Sequence, residues 1–386
     1  MGTSGKLEVI LKVSEVCNIA CDYCYYFFSG DNRPLSRPPQ IDMLVVNALI
    51  ERLNEGFRGR LFSSVQIDFH GGEPLMIGIA SFVAICERLA ADAVFPYRLC
   101  ITTNGMLLND QWIQVFAKYS VNVCISVDGP PDTHDLHRKD KKGRGTYAKV
   151  IAGLKLLNEA VDAKMISSPS ALCVVEPNFD GAEVYKHIVK TLGIHSIDFL
   201  MPDVTHDSRD TNASGVADFM GSAIESWLAD DDPQISVRIF NSILALLTSG
   251  KTYLAGFGGA PAFAITVGSD GSVDGDDFLK PCGSDEISTV RNIIATPLHE
   301  ILSLPVITGV SEELGHPPDS CRDCALVAVC KGGQATHRFS KASRFNNPSV
   351  YCKAQETMFR AAIRHLLHTG VSRNAMQDVL TVHPAN

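Results

Sequence analysis

Three cysteines, Cys17, Cys21 and Cys24, are separated by three and then two residues in a loop that directly follows the apolar, strand-like run 7–13. Three thiolates on so short a loop can each take one iron of a cubane 4Fe–4S cluster, which leaves the fourth iron open to a small chelating ligand. A structural zinc site would need four protein ligands, usually in paired Cys-x-x-Cys or Cys/His spacings. No histidine or fourth cysteine lies near this loop. The spacing therefore predicts a strand that runs straight into a metal-centred turn.

The 386 residues, 45% of them hydrophobic, suffice for one large α/β domain with a smaller appendage. No run of 18 apolar residues and no N-terminal signal pattern is present, so a cytoplasmic protein without a membrane partner is expected. A net charge of −9 speaks against a nucleic-acid partner. Twelve cysteines in an intracellular protein point to metal or redox chemistry rather than a disulfide framework. Seven fall in two tight groups, while Cys86, Cys100, Cys124 and Cys173 sit within apolar patterns and read as small buried hydrophobes.

Strand-like runs at 7–13, 65–70, 98–103, 121–127, 171–175 and 197–201 alternate with helical patterns, clearest at 147–161, where Tyr147, Val150, Ile151, Leu154, Leu157 and Val161 share one face. Six β–α units read as an α/β fold, a partial (β/α)6 barrel, whose ligands sit at the carboxyl ends of the strands. Candidate segments stand there: His70-Gly71-Gly72-Glu73-Pro74, then Thr102-Thr103-Asn104-Gly105, then Ser126-Val127-Asp128-Gly129. Taken singly each could be a turn capping its own backbone. Their recurrence at three successive strand ends, in phase with the cysteine loop, reads as one site: the glycines let backbone approach a ligand, and Glu73 offers a carboxylate. A basic stretch, 134–147, reads by itself as a solvated loop ending in a Thr146 cap.

Beyond residue 250 a hairpin is expected at 264–275, then Cys282, then Cys321, Cys324, Cys330 and Cys352, the last at the start of a helix reaching about residue 368. On spacing alone these four suit a second 4Fe–4S cluster or Zn²⁺ equally well. The expected segments are 7–230 for the barrel, 231–300 for a bridging region, 301–368 for the second cysteine region and 369–386 for a tail.

With Tyr23 just before the third cysteine, the loop resembles the signature of radical S-adenosylmethionine (SAM) enzymes, and the second cysteine set resembles their C-terminal SPASM extension. The resemblance implies SAM on the open iron, reductive cleavage to a 5′-deoxyadenosyl radical, and two 4Fe–4S clusters, one binding SAM and one auxiliary. It implies a SAM pocket formed by Tyr23, Gly71, Gly72, Glu73, Pro74, Thr103, Asn104, Ser126, Asp128 and Arg138, with the nearby lysines docking an electron donor such as flavodoxin or ferredoxin. A full SPASM set has seven cysteines; Gln334 stands where one is expected and 256–260 contains none, so the inner auxiliary cluster is expected to be absent. Segments 197–203, 238–240, Asp270-Gly271 and 277–280 resemble the FxsB-type branch of peptide maturases. That implies a ribosomally made precursor peptide, a carbon–carbon crosslink between two of its side groups (a cyclophane), and a base among Asp203, Asp276 and Asp277. The alternatives are thioether formation, epimerisation or sulfatase-maturase-type oxidation. With the first strand beginning near residue 7, leader recognition is expected to use the core, the C-terminal region or a separate leader-binding protein.

Overall fold

The near-continuous apolar run after residue 6 forms the first strand because both of its faces are covered, as in a buried parallel sheet. The computed structural model describes residues 5–208, 211–252, 254, 257–258 and 263–381; Gly256, Gly259 and Ala260 of the cysteine-free stretch and residues 382–386 of the tail lie outside them. Its strands, in chain order, are β1 (Lys6–Ser14), β2 (Ile19–Cys21), β3 (Ser64–Gly71), β4 (Tyr97–Thr103), β5 (Asn122–Ser126), β6 (Arg138–Asp140), β7 (Ser170–Val174), β8 (Ser196–Leu200), β9 (Ser236–Val237), β10 (Ala264–Val267), β11 (Ser272–Asp274) and β12 (Ser288–Asn292). All six runs expected as barrel strands form, as β1, β3, β4, β5, β7 and β8, within a residue or so of their sequence bounds.

The chain divides into two compact units. The first comprises residues 1–127, 134–169 and 263–309. In it β10, β1, β3, β4 and β5 lie side by side and parallel. The hairpin expected at 264–275 forms as antiparallel β10 and β11 and continues into β12, so its first strand extends the parallel sheet beside β1. The helix Tyr147–Asp162 buries the face read from its periodicity: Val150, Leu154 and Leu157. Phe82, Trp112 and Phe116 pack edge to face in the helical layer, with Phe69 of β3 against Phe82.

The second unit comprises residues 128–133, 170–262 and 310–386. Here β7, β8 and β9 are parallel. Helices Ala213–Asp230 and Arg238–Ser249 pack with the C-terminal helix Cys352–His368, whose bounds are those read from the sequence. Segment 369–386, expected as a tail, contains a further helix, Arg373–Thr381. No helix among the described residues is long and apolar enough to cross a membrane.

Candidate functional site

The cysteine loop is pinned by backbone on one side. Gly72 N donates to Ser14 O (2.8 Å) and Glu73 N to Val16 O (2.9 Å), so the end of β3 is laced to the residue just before Cys17. The approach is so close that a Cβ on Gly71 would lie 2.0 Å from Ser14 O and one on Gly72 2.4 Å from Val16 O. Gly71 also takes a φ of +141°, which other residues rarely adopt. The two glycines were expected to admit a ligand. The structure shows them admitting the cysteine loop itself.

Glu73 is also reoriented relative to expectation. It is buried, and its carboxylate accepts from Thr103 Oγ1 (2.7 Å), Asn104 N (2.8 Å) and Leu75 N (3.0 Å). Burial pushes its pKa up, against these donors. With three donors drawn to it from inside, the side chain joins the ends of β3 and β4 instead of facing out at the strand mouth. Pro74 opens the short helix that follows and is buried. Asn104 turns the other way: its Nδ2 donates to Asn18 Oδ1 at 2.7 Å, beside Cys17. Ser126 ends β5, half-buried. Asp128 belongs to the second unit, where its carboxylate accepts from Val174 N at 3.0 Å.

The basic stretch is not a free loop. Residues Pro131–His137 are helical, and β6 pairs antiparallel with β2, setting Arg138 opposite Cys21. Arg138 is buried and donates to the Tyr23 hydroxyl at 2.8 Å, so a cation clamps the cysteine loop from its second side. Thr146 makes no cap; its hydroxyl donates to Arg138 O (2.7 Å), while Asp135 Oδ1 caps Tyr147 N (2.8 Å). A buried threonine facing a buried carbonyl satisfies that carbonyl first.

Of the three carboxylates considered as bases, Asp277 stands in a built environment. Lys12 Nζ is 2.5 Å from its Oδ2, the Tyr25 hydroxyl donates to the same oxygen at 2.7 Å, and Lys12 Nζ also reaches His70 Nδ1 at 3.0 Å. Burial opposes the charge on Asp277, but Lys12, with the Tyr25 hydroxyl, outweighs it and holds the carboxyl at about 2. Burial and Lys12 lower His70 to about 4, so the imidazole is neutral at physiological pH. Tyr25 follows Cys24 directly, which places the Asp277 cluster against the cysteine loop. Asp276 instead caps the short helix Asp277–Cys282, and Asp203 is exposed in the second unit. Lys12, Tyr25 and Asn18 had no role in the sequence reading; a lysine inside an apolar strand was the available signal. Cys282 is buried.

In the second unit, burial raises the Cys330 thiol to about 12, with Cys352, Cys321 and Cys324 near enough to act on it. Arg338, also buried, donates to four carbonyls, of Phe345, Lys331, His316 and Leu314 (3.0–3.5 Å), and Cys321 and Cys330 favour its charge. Arg338 also faces Glu313, and a buried guanidinium bonded to neutral carbonyls beside Cys321 and Cys330 would favour their anionic forms, so these residues fit a metal-bound cluster. Cys17 is likewise raised to about 12 by burial, and Cys21 and Cys24 oppose its charge further. Ionising so buried a thiol takes a bound cation, and three thiols on one short loop fit a cluster too. Among the described residues, no three His, Cys, Asp or Glu side chains gather as a single metal ion would require.

Residues 11–169 match the model of the radical SAM superfamily. Over 380 residues the protein is 27% identical to the cysteine-type anaerobic sulfatase-maturating enzyme of Clostridium perfringens, covering 94% of this chain and 98% of that one. The serine-type enzyme of Bacteroides thetaiotaomicron is 26% identical over 372 residues, 87% of this chain and 84% of its own. The solved structure of native anSMEcpe with bound AdoMet and Cp18Cys peptide superposes with a TM-score of 0.80 at 24% identity, over 95% of this chain and 99% of that one. The protein thus has the radical SAM α/β fold, in keeping with the α/β architecture expected from the six strands. The relatives are sulfatase-maturating enzymes, whereas the sequence segments pointed to cyclophane formation.

Proposed function

We propose that this protein is a radical SAM peptide oxidase of the sulfatase-maturase kind, acting on a serine or cysteine side chain and using Asp277 as the base. The observation that carries the reading is the Lys12–His70–Asp277–Tyr25 cluster against the cysteine loop, supported by sulfatase-maturating relatives that match nearly the full length. Cys17, Cys21 and Cys24 would hold the SAM-binding cluster, and Cys321, Cys324, Cys330 and Cys352 an auxiliary one. When bound, these groups supply the radical that takes a hydrogen atom from the substrate's Cβ and the acceptor for the departing electron.

The protein's own residues manage the proton. Oxidising a hydroxyl- or thiol-bearing carbon to a carbonyl or thiocarbonyl also releases the proton on oxygen or sulfur, and Asp277 is poised to accept it. Its low pKa keeps it ionised at working pH, and so weak a base suffices only for the strongly acidic proton that loss of the electron would leave on oxygen or sulfur. Lys12 and Tyr25 fix the carboxylate through Oδ2 and neutral His70 holds Lys12 in place, which limits reorganisation at the moment of transfer. Glu73, by tying two strand ends together, Arg138, by holding Tyr23, and Gly71 and Gly72, by admitting the backbone before Cys17, position the loop to which SAM would bind; Pro74, Thr103, Asn104 and Ser126 stand at the strand ends of the same unit.

A second reading, the carbon–carbon crosslink, is favoured by Gln334 and the cysteine-free 256–260 segment, which depart from a full cysteine set. Both reactions remove two hydrogens from the peptide, and only the oxidation leaves a carbonyl. Peptides containing a single Ser or Cys are incubated with reduced protein and SAM, then treated with a hydrazine reagent. A labelled product losing two hydrogens from Ser supports the oxidase. An unlabelled product of the same mass, with two residues joined in one fragment, supports the crosslink.

A further inference from the structure

Gln355 lies one helical turn past Cys352 on the helix Cys352–His368 and is 1% exposed. Its Oε1 accepts from the Cys330 thiol at 3.3 Å, while the buried Nε2 finds no hydrogen-bond partner among the described residues. A thiol is a weak donor, and the amide nitrogen carries two good ones. This side chain therefore takes a weak bond and leaves its own donors unmet, which buried polar groups seldom do.

The backbone around Cys330 keeps the amide there. Lys331, Gly332 and Gly333 all take positive φ, +49°, +88° and +91°, and fold back over the cysteine. Gly333 N donates to Cys330 O at 2.9 Å, and Gly332 N–H bonds to the Cys330 sulfur. A Cβ on Gly333 would lie 2.2 Å from Gln355 Nε2, so a larger residue there would push the amide away from the sulfur. The proposed proton chemistry makes no use of this placement.

A cysteine that ligates iron has no thiol proton left to donate. A thiolate facing Oε1 is a repulsive pair. Half a rotation about the last side-chain bond exchanges Oε1 and Nε2 within the same volume and aims a donor at the sulfur. It also leaves the carbonyl on the side without partners, and an unmet buried carbonyl is tolerated more often than an unmet N–H.

We infer that Gln355 sets the reduction potential of the cluster held by Cys321, Cys324, Cys330 and Cys352, by donating from Nε2 to the Cys330 sulfur. This rests on the auxiliary-cluster reading of those four cysteines. An added electron increases the negative charge on the cluster sulfurs, so a donor fixed on one of them stabilises the reduced form more than the oxidised one. Gln355 raises the potential and makes the cluster a readier acceptor for the electron that oxidation of the peptide releases. It acts only through Cys330 and is a positioning residue.

The test follows the second cluster alone, in the whole chain with Cys17, Cys21 and Cys24 replaced by Ala and reconstituted anaerobically. Gln355→Met keeps the side-chain length and removes the donor. In a dithionite titration read by electron paramagnetic resonance, the variant should keep about four irons while its reduction equilibrium shifts toward the oxidised form by about tenfold, about 59 mV for one electron. The same protein with Gln355 in place, isotopically labelled at its glutamine side-chain nitrogens, should show that nitrogen coupled to the reduced cluster. The coupling should survive Gln334→Ala and vanish in Gln355→Met. An unmoved or raised potential in Gln355→Met with its iron in place overturns the inference. So does a labelled protein with Gln355 in place and no coupling, whether or not the variant holds iron. Zinc in place of iron, or no metal on the second cysteine set, overturns the auxiliary-cluster reading and the inference with it, and metal analysis tells this failure from the others.

Discussion

Asp277 and Asp68 are both half-buried and shifted in opposite directions, because one meets a lysine and the other a second acid. Asp277 should matter to chemistry: Asp277→Asn is expected to lower product formation by about 100-fold or more, the usual span for a lost general base. Mass spectrometry of the peptide would show that loss, while chromatography should find 5′-deoxyadenosine still forming. Because its carboxyl stays ionised down to about pH 2, the wild-type rate should show no titration of this group across the neutral range. Asp68 of β3 is raised to about 7 by burial and by Glu8 of β1. A carboxyl whose folded pKa lies above its unfolded value binds more protons when folded, so its contribution to stability falls as pH rises from about 4 to about 7 and is then constant. Asp68→Asn should therefore raise the melting temperature at about pH 8, by a stability gain of order 1–3 kcal/mol, and change it little near pH 4. Calorimetry at the two pH values checks this, and an equal effect at both would show that the acid pair is not responsible.

At the level of elements, β1, β3 and their following turns act as a single clamp on the cysteine loop. Gly72→Ala would put a methyl group 2.4 Å from Val16 O, backbone against which no side chain can yield. It should cost the N-terminal cluster, with roughly four irons lost, while the second cysteine set keeps its own. Iron analysis with visible spectroscopy would show this, and full retention would mean that the loop does not depend on this approach. Arg338 plays the comparable part in the second unit. Arg338→Met leaves several buried carbonyls without a donor, each costing about 1–3 kcal/mol, and should release metal from the Cys321–Cys352 set alone.

For the whole molecule, the two proposed cubanes predict roughly eight irons per protein after anaerobic reconstitution. Replacing Cys17, Cys21 and Cys24 with Ala should remove half and abolish SAM cleavage, whereas replacing Cys321 and Cys324 should remove the other half. A wild-type content near about twelve, on the same count of four per cubane, would restore the inner auxiliary cluster despite Gln334; zinc in place of half the iron would make the second set structural.

Much of this molecule was legible in short-range pattern. The continuous apolar runs mark six strands, the periodicity of 147–161 marks its helix, and the cysteine spacing marks both thiol sets, because strand burial, helix faces and loop ligation are settled within a few residues. The direction in which Glu73 turns was not legible, since it depends on Thr103 and Asn104 arriving from another strand. Nor was the choice of Asp277 over Asp276: the two are neighbours in sequence, and only packing sends one to Lys12, 265 residues away, while the other caps its own helix. The basic stretch looked like a loop until β2 supplied a partner strand. Local pattern therefore suffices for the strands and for the cysteine loop that receives a cofactor. Which charged groups surround that loop is settled only on folding, because a buried charge is placed by the partner that neutralises it, and such partners come from distant parts of the sequence.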